Sequence, residues 1–536
     1  MKTRFSFWPL FALIVAAIIF FSMLFFILDA PLPSSWDEGL YFNRAHYDQQ
    51  AFQKNGFGGL VSVLFREDPH QPPAYRILAL PWNLIFGVHP ISLEAYALFF
   101  WCLTLWLIYL TGKLLAGVDA GAFAVVYLAI CPIVIRTGKQ FCTEDIFYFS
   151  IAALLWATVT IMTSDRERFM NWIALAASVF LGGMAKLSFF FILGPFVIIL
   201  FFLGLRDKTA KPSPLFLMTS VGFGGLLLLP WWVLNVDDVL RFTLNITVTF
   251  DRHSLGEGIS IEKFLSWIKL IRWTILGPAA ALITLLFLGV FALHQTLFKK
   301  QQKVILWTLL LSIVPTLVLA FSGTNNNPRY VGPSLFLLAI VLGVIAQVTG
   351  WLMSWKKSFI LVSLTMFQLT VMVWPTPGYI RYQKGDDSKT LIGANYTNIF
   401  RRPDQWNWGS FRNLVSARGI ERPIVGELGM GSAFNPPQIN YPWVAQSLRA
   451  DVRLLWRYEW EDPIDWERVM KAAGECDVVV TAPGFIGKIS NKNHLDNQYN
   501  TELVRRLEQD GRFEGPISLN ISKFEPVELA IFFRKK

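Results

Sequence analysis

Residues 7–41 read FWPLFALIVAAIIFFSMLFFIL-DAPLPSSWDEGLY. The first part is an apolar run from Phe7 to Leu28, preceded by Lys2 and Arg4. A cleavable secretory signal carries an apolar region of roughly 7–15 residues, and a spanning helix needs about 20. This run therefore reads as an uncleaved first membrane span. Where it ends, Pro31 and Pro33 lead into Ser34-Ser35-Trp36-Asp37-Glu38-Gly39-Leu40-Tyr41. Two adjacent carboxylates stand there among aromatic residues, just outside the membrane.

The rest of the chain has the same character. Of 536 residues, 54% are hydrophobic and 16% charged, against roughly 25% charged in soluble proteins. Mean hydropathy is +0.43. The net charge of +10 comes largely from short loops between apolar runs, where Lys and Arg set topology. Basic clusters interleaved with aromatics are missing, so nucleic acid is not an expected partner. Four cysteines, Cys102, Cys131, Cys142 and Cys476, show no metal-ligand spacing. A disulfide between Cys142 and Cys476 stays open, without support from the spacing.

Apolar runs predict about eleven spans: Phe7–Leu28, Leu93–Leu115, Ala120–Ile135, Ile146–Met162, Trp172–Met184, Ser188–Leu205, Leu215–Val233, Ile275–Leu297, Val304–Phe321, Val331–Val348 and Ser358–Trp374. The third and fifth are short. With the N-terminus in the cytoplasm, every inside loop is basic: Lys113; Arg166 and Arg168; Arg206, Lys208 and Lys211; Lys299, Lys300 and Lys303; Lys356 and Lys357. An odd number of spans then places everything after Trp374 outside. The predicted fold is a polytopic α-helical membrane domain, residues 1–374 with a long first outside loop at 29–92, followed by an extracytoplasmic α/β domain, residues 375–536. In that second domain short apolar runs at Pro423–Leu428, Val452–Trp456, Asp477–Thr481 and Leu529–Phe533 read as strands. Helical stretches lie between them at Asp465–Ala473 and Thr501–Gln509. The Gly426–Gly431 glycine cluster does not match a dinucleotide fingerprint and reads as a turn. Within the first outside loop, Pro72-Pro73 opens a shorter apolar stretch, Ala74–Phe86, that suits the membrane interface.

The polar residues that such a membrane domain holds at its outside ends are the candidates for chemistry. Ser35-x-x-Glu38 is a capping box, which accounts for Glu38 structurally. Asp37 is either a second carboxylate favoured by the helix dipole or, since adjacent residues on a helix diverge, one that points into a cavity. His70 and Arg76 flank the double proline at the cavity rim, and an Arg there suits a phosphate. Thr143 caps the fourth span with Glu144 and Asp145 in its first turn. A carboxylate entering a span is costly unless it faces a polar cavity, so one of that pair is a functional candidate. Lys186 lies between the fifth and sixth spans, and Arg329-Tyr330 opens the tenth. Snorkelling explains both cations; phosphate binding is the sharper alternative.

In order and in sidedness, the Asp-Glu pair after the first span, the Pro-Pro-x-Tyr helix start, the Glu/Asp pair, the Lys between short spans and the Arg-Tyr resemble the GT-C superfamily of polyprenyl-phosphate-sugar glycosyltransferases. The nearest subgroup holds the aminoarabinose transferases, the protein O-mannosyltransferases and the bacterial transferases acting on lipopolysaccharide. The resemblance covers about residues 5–375. It implies catalysis at Asp37, with Glu38 beside it, and substrate binding by Glu144 or Asp145, His70, Arg76, Lys186, Arg329 and Tyr330. It implies a bacterial inner-membrane protein taking a polyprenyl-phosphate sugar from the bilayer and passing it to a lipid, glycan or protein. In the aminoarabinose group a Lys often precedes the double proline; Gln71 stands there in this chain, which points to a different substrate. A divalent cation held by the paired carboxylates stays open. The Trp-Trp-Asp motif of oligosaccharyltransferases is absent. A transporter or flippase of a lipid-linked saccharide is the competing reading, and a scaffold whose outer domain does the work is a third.

Overall fold

The computed structural model describes residues 6–28, 36–66, 71–163, 168–206, 214–244, 261–322, 329, 331–373, 406–428, 434–456, 464–483, 496–521 and 528–535. The helices of the first part are α1 (Phe7–Leu28), α2 (Trp36–Arg66), α3 (Ala74–Phe86), α4 (Pro90–Ala116), α5 (Val118–Ala129), α6 (Pro132–Gly138), α7 (Thr143–Thr163), α8 (Phe169–Ala185), α9 (Phe190–Arg206), α10 (Pro214–Leu244), α11 (Ile261–Leu270), α12 (Pro278–Leu293), α13 (Lys300–Ser322), α14 (Ser334–Val348) and α15 (Trp355–Val373). Each predicted span falls on one of these helices, save the third, which is divided.

Among the described residues, α1, α4, α7 and the Leu215–Arg241 part of α10 are long and apolar enough to cross a membrane. The pair α5 and α6, bent by 77° at its break, makes a fifth crossing if counted as one. The remaining apolar helices are shorter, so helix length supports four or five crossings where the sequence predicted about eleven. On α1, Phe11, Val15, Ile19 and Met23 are buried at helical spacing, while Leu13, Phe21 and Phe25 are exposed on the other side. Gly112 of α4 and Gly121 of α5 meet so closely that a Cβ on Gly112 would lie 2.7 Å from the Gly121 Cα, which lets the two backbones cross in contact.

Helix breaks in an apolar surrounding leave backbone groups that need partners. Gln368 of α15 serves two breaks at once. Its Oε1 accepts from the N–H groups of Ala279 and Ala280 at 2.8 and 3.1 Å, at the start of α12. Its Nε2 donates to the carbonyls of Ile130, where α5 stops, and Leu276, at 2.5 and 2.7 Å. Gly277 has φ +77° and leaves no room for a Cβ beside that amide, so only glycine fits there.

The loop expected at 29–92 is largely helical. Beyond the helical first turn expected at Asp37 and Glu38, the extent of α2 was not anticipated, because its polar and aromatic residues hide any apolar run. Two helices merge in it at Gly56, whose φ of 59° breaks the regular geometry. Helix α3 starts right after Pro73, at the double proline, and exposes Leu84, Ile85 and Phe86, as expected of an interfacial segment.

The second domain is α/β, as predicted. Strands β1 (Ile424–Leu428), β2 (Asp451–Leu454), β3 (Val478–Thr481), β4 (Phe513–Asn520) and β5 (Glu528–Arg534) form one sheet in the order β2-β1-β3-β5-β4. The first three are parallel, with Val425 opposite both Val452 and Val478, and β5 runs antiparallel to β3 and β4. Helices α16 (Trp408–Ala417) and α17 (Pro436–Val444) cover one face; α18 (Trp466–Gly474) and α19 (Asp496–Gln509) cover the other. Helix α17 was missed because its three prolines read as loop. Two of them occupy its first turn, where a proline costs no hydrogen bond, and Asn435 caps it by accepting from Gln438 N at 3.1 Å. All four cysteines are unpaired. The domain boundary expected after Trp374, and residues 429–431 of the glycine cluster, lie outside the described residues.

Replacing Gln368 by Leu strands two amides and two carbonyls away from water. At about 1–3 kcal/mol per stranded group, partly relieved by relaxation, the expected loss is about 2–4 kcal/mol. It would be read as a lower melting temperature of the purified protein in detergent; an unchanged melt would show that other groups take up those four partners.

Candidate active site

Four segments far apart in sequence meet at one end of the helical domain. Helix α7 opens with Thr143, Glu144 and Asp145, acidic residues favoured at a helix N-terminus. Helix α8 ends at Ala185, and Lys186, in extended conformation, links it to a tight turn at Leu187–Phe189 and then α9. The Phe189 ring lies where a side chain on Gly182 would stand, so the chain folds back sharply and turns Lys186 toward α7. Arg329 comes from the segment before α14. That segment approaches α7 at Gly332, where any side chain would overlap the Tyr148 hydroxyl, one turn below Glu144. Asp37 stands in the first turn of α2.

Their charges form a chain. Lys186 Nζ lies 2.7 Å from Glu144 Oε1. Arg329 reaches the same oxygen with Nη1 at 3.7 Å and donates through Nη2 to Asp37 Oδ2 at 2.5 Å. Exposure separates the roles. The Glu144 side chain is 2% exposed, those of Lys186 and Arg329 are 26% and 30%, and that of Asp37 is 41%. Glu144 is thus a sealed anchor for two cations whose tips, with the Asp37 carboxylate, remain open to a ligand. Burial disfavours the charge on Arg329, but Glu144 and Asp37 outweigh it and hold the guanidinium protonated. Asp145 is buried and accepts from its own turn, Cys142 N, at 3.1 Å. Of the two carboxylates left open by the sequence, Glu144 is the one in the cluster.

Arg76, expected at the rim to hold phosphate, is placed elsewhere. It is 3% exposed and grips Asp48 through two contacts, Nε to Oδ2 at 2.8 Å and Nη2 to Oδ1 at 2.5 Å. Glu38 is 1% exposed and faces inward beside Asp37. His70, Tyr330 and the Ser35 of the expected capping box lie outside the described residues.

Sequence reading missed the stripe that α2 presents below Asp37. Asp37, Tyr41, Arg44 and Asp48 follow the i, i+4, i+7, i+11 spacing of one helix face. Arg44 Nη1 donates to Gln71 Oε1 at 2.7 Å and to the Tyr75 hydroxyl at 3.4 Å, and its guanidinium lies 5.7 Å from the Tyr41 ring. A cation therefore stands beside the position where the resembling group carries lysine. Burial, with Glu144 and Asp37 nearby, pushes the Tyr41 phenol well above its usual range and keeps it a neutral hydroxyl. The signal was available as spacing, once 36–66 was read as a helix instead of a loop.

Among the described residues no three His, Cys, Asp or Glu side chains converge as metal ligands. Asp37 and Glu144 face cations instead of each other.

Known proteins match this architecture. Residues 70–233 match the family described as dolichyl-phosphate-mannose-protein mannosyltransferase. No curated protein matches by sequence. Among solved structures, ArnT from Cupriavidus metallidurans bound to undecaprenyl phosphate superposes with a TM-score of 0.55 at 11% identity, covering 98% of each chain. The arabinofuranosyltransferase AftD from Mycobacteria gives 0.56 at 13% identity, over 98% of this chain and 40% of its own. The archaeal oligosaccharyltransferase AglB from Archaeoglobus fulgidus, in complex with an inhibitory peptide and a dolichol-phosphate, gives 0.51 at 10% identity, over 89% of this chain and 69% of its own. The family match is confined to residues 70–233, and the structural likeness shows that the chain shares the fold of these three solved structures.

Two consequences are measurable. Lys186→Met removes one of the two cations facing a sealed carboxylate, and about 1–3 kcal/mol of stability should go with it, read by thermal unfolding in detergent. An unchanged melt would mean that Arg329 alone satisfies Glu144. Separately, burial, aided by His89, lowers His46 of α2 to about 4 from 6.5. The unfolded chain then binds a proton between these values that the folded one refuses. Stability is constant above pH 6.5 and falls as pH drops from 6.5 through 4, by at most about 1.4 kcal/mol per unit. His46→Leu should flatten melting temperature across that window; a slope equal to the parent's would assign the acid sensitivity to other groups.

Proposed function

We propose that this protein is a membrane glycosyltransferase that moves a sugar from a polyprenyl-phosphate donor to an extracytoplasmic acceptor, with inversion at the anomeric carbon. The family match over residues 70–233 and the fold shared with solved glycosyltransferases support sugar transfer in general. The undecaprenyl phosphate and dolichol-phosphate named for the ArnT and AglB structures support the class of donor. The observation that carries the reading is the Asp37–Arg329–Glu144–Lys186 chain: two half-open cations on a sealed carboxylate, next to an open one.

In this scheme the donor enters sideways from the bilayer, and Lys186 and Arg329 bind its phosphate. Glu144 keeps both side chains in place, so little reorganisation is needed as negative charge grows on the leaving group. Asp37 takes the proton from the acceptor hydroxyl as that oxygen attacks the anomeric carbon. The bond from that carbon to the phosphate oxygen breaks, and its electron pair leaves with the polyprenyl phosphate. Arg329 touches base and anchor together, so one guanidinium aligns the acceptor side with the donor side. The positive-inside pattern supports placing this site on the face of the bacterial inner membrane away from the cytoplasm, with the N-terminus inside.

Asp37→Asn keeps the shape and removes the base. With a radiolabelled polyprenyl-phosphate sugar in membranes, transfer to a hydroxyl acceptor should fall by about 10²–10⁴-fold with little change in donor KM. Full activity in a normally inserted variant would remove Asp37 from the catalytic step. A parent protein that carries labelled lipid across vesicles but transfers no sugar would favour transport instead.

A further inference from the structure

Helix α2 has a second face, and the soluble domain is seated on it. One face carries Asp37, Tyr41, Arg44 and Asp48 toward the membrane domain. The other presents Gly39, Phe42, Asn43, His46 and Tyr47 to α17. The contact is polar and close. Asn43 Nδ2 donates to the Pro437 carbonyl at 3.1 Å, and Asn440 Nδ2 donates to the Tyr47 hydroxyl at 3.2 Å. The rings of Phe42 and His46 lie 6.1 and 6.0 Å from that of Tyr441, which is buried in the same core as the membrane helices.

The tightest point is two residues from the catalytic carboxylate. A Cβ added to Gly39 would lie 3.2 Å from Pro437 Cβ and 3.5 Å from Gln438 N. Glycine inside a helix costs roughly 0.5–1 kcal/mol relative to alanine. At position 39 that cost is offset by the approach it allows. Helix α17 is held firmly in turn: Ile439 and Trp443 are fully buried in one core with Val425 of β1 and Val478 and Val480 of β3. A packed path therefore runs from the sheet through α17 to the first turn of α2.

We propose that α17 is a positioning surface for the catalytic carboxylate: the contact of Pro437 on Gly39 sets the depth and angle of the first turn of α2 and so places Asp37 against Arg329. The soluble domain is then a part of the catalytic apparatus. Its kinetic consequence rests on the transfer reading above; the contact itself does not.

The test uses the full-length protein with Gly39→Ala, Pro437→Gly and the two combined. The alanine Cβ pushes against Pro437, so transfer kcat should fall about tenfold with donor KM little changed. The first-turn amides of α2 should exchange hydrogen for deuterium faster. Pro437→Gly removes the opposing Cβ and keeps the carbonyl that Asn43 uses, so the double variant should recover most of both losses. Asn43→Ala, which adds no volume, should move both readouts the same way by a smaller amount and serves if Gly39→Ala does not fold. A Gly39→Ala protein with parental kcat and parental exchange would overturn the proposal. So would a defect that Pro437→Gly leaves unrepaired, because a loss of general stability needs no particular partner. If the parent transfers no sugar from any polyprenyl-phosphate donor, the transfer reading fails, and the exchange data still decide whether α17 holds the turn.

Discussion

Glu144 is a carboxylate placed at the head of an apolar helix and closed off from water. An ion in that position carries a desolvation penalty of several kcal/mol, which only close opposite charges and good hydrogen bonds can offset. The chain supplies Lys186 from the break between α8 and α9, and Arg329 from the segment before α14. Neither cation is free to take another place without leaving Glu144 uncompensated. Through Arg329 the constraint extends to Asp37 and hence to α2. A single buried charge thus fixes the relative positions of four segments of the membrane domain.

The same arrangement divides the work at the site. A sealed anion holds two cations in place, and their partial exposure leaves them able to meet a second anion. In the proposed reaction the open carboxylate at the other end of the guanidinium serves the acceptor, so donor side and acceptor side differ in chemistry while sharing one connecting residue. Helix α2 is confined between this cluster and the soluble domain. That confinement explains a helix rich in polar residues where hydropathy shows only a loop.

The candidate site was legible in part, and the parts follow from the kind of signal involved. Asp37, Glu144, Lys186 and Arg329 were found because a charged residue at the end of an apolar run is conspicuous and costly. Arg76 carried the same signal, yet Asp48 sits one helix away and takes its guanidinium in a two-point contact. That partner was out of view, since α2 was not recognised as a helix beyond its first turn. Arg44 and Tyr41 were missed for the same reason. The choice between Glu144 and Asp145 was beyond sequence too, because adjacent carboxylates differ only in where the helix turns them. In the C-terminal domain β1, β2, β3 and β5 were legible as short apolar runs. Strand β4, with alternating partial exposure, and the proline-rich α17 were not.

By itself the sequence determined the class of the molecule, the order of its apolar helices, the α/β character of its C-terminal domain and the set of charges from which a site could be built. Those are properties of composition and local pattern, governed by the energy of placing each residue in lipid or water. Pairing was decided only by the tertiary structure. It joined Arg329 to Asp37 across 292 positions of chain. It gave Arg76 to Asp48, bent the third span at Ile130, and set Pro437 against Gly39. Each of these depends on which distant groups arrive within a few ångströms, because electrostatic and packing energies depend on distance in space and not along the chain.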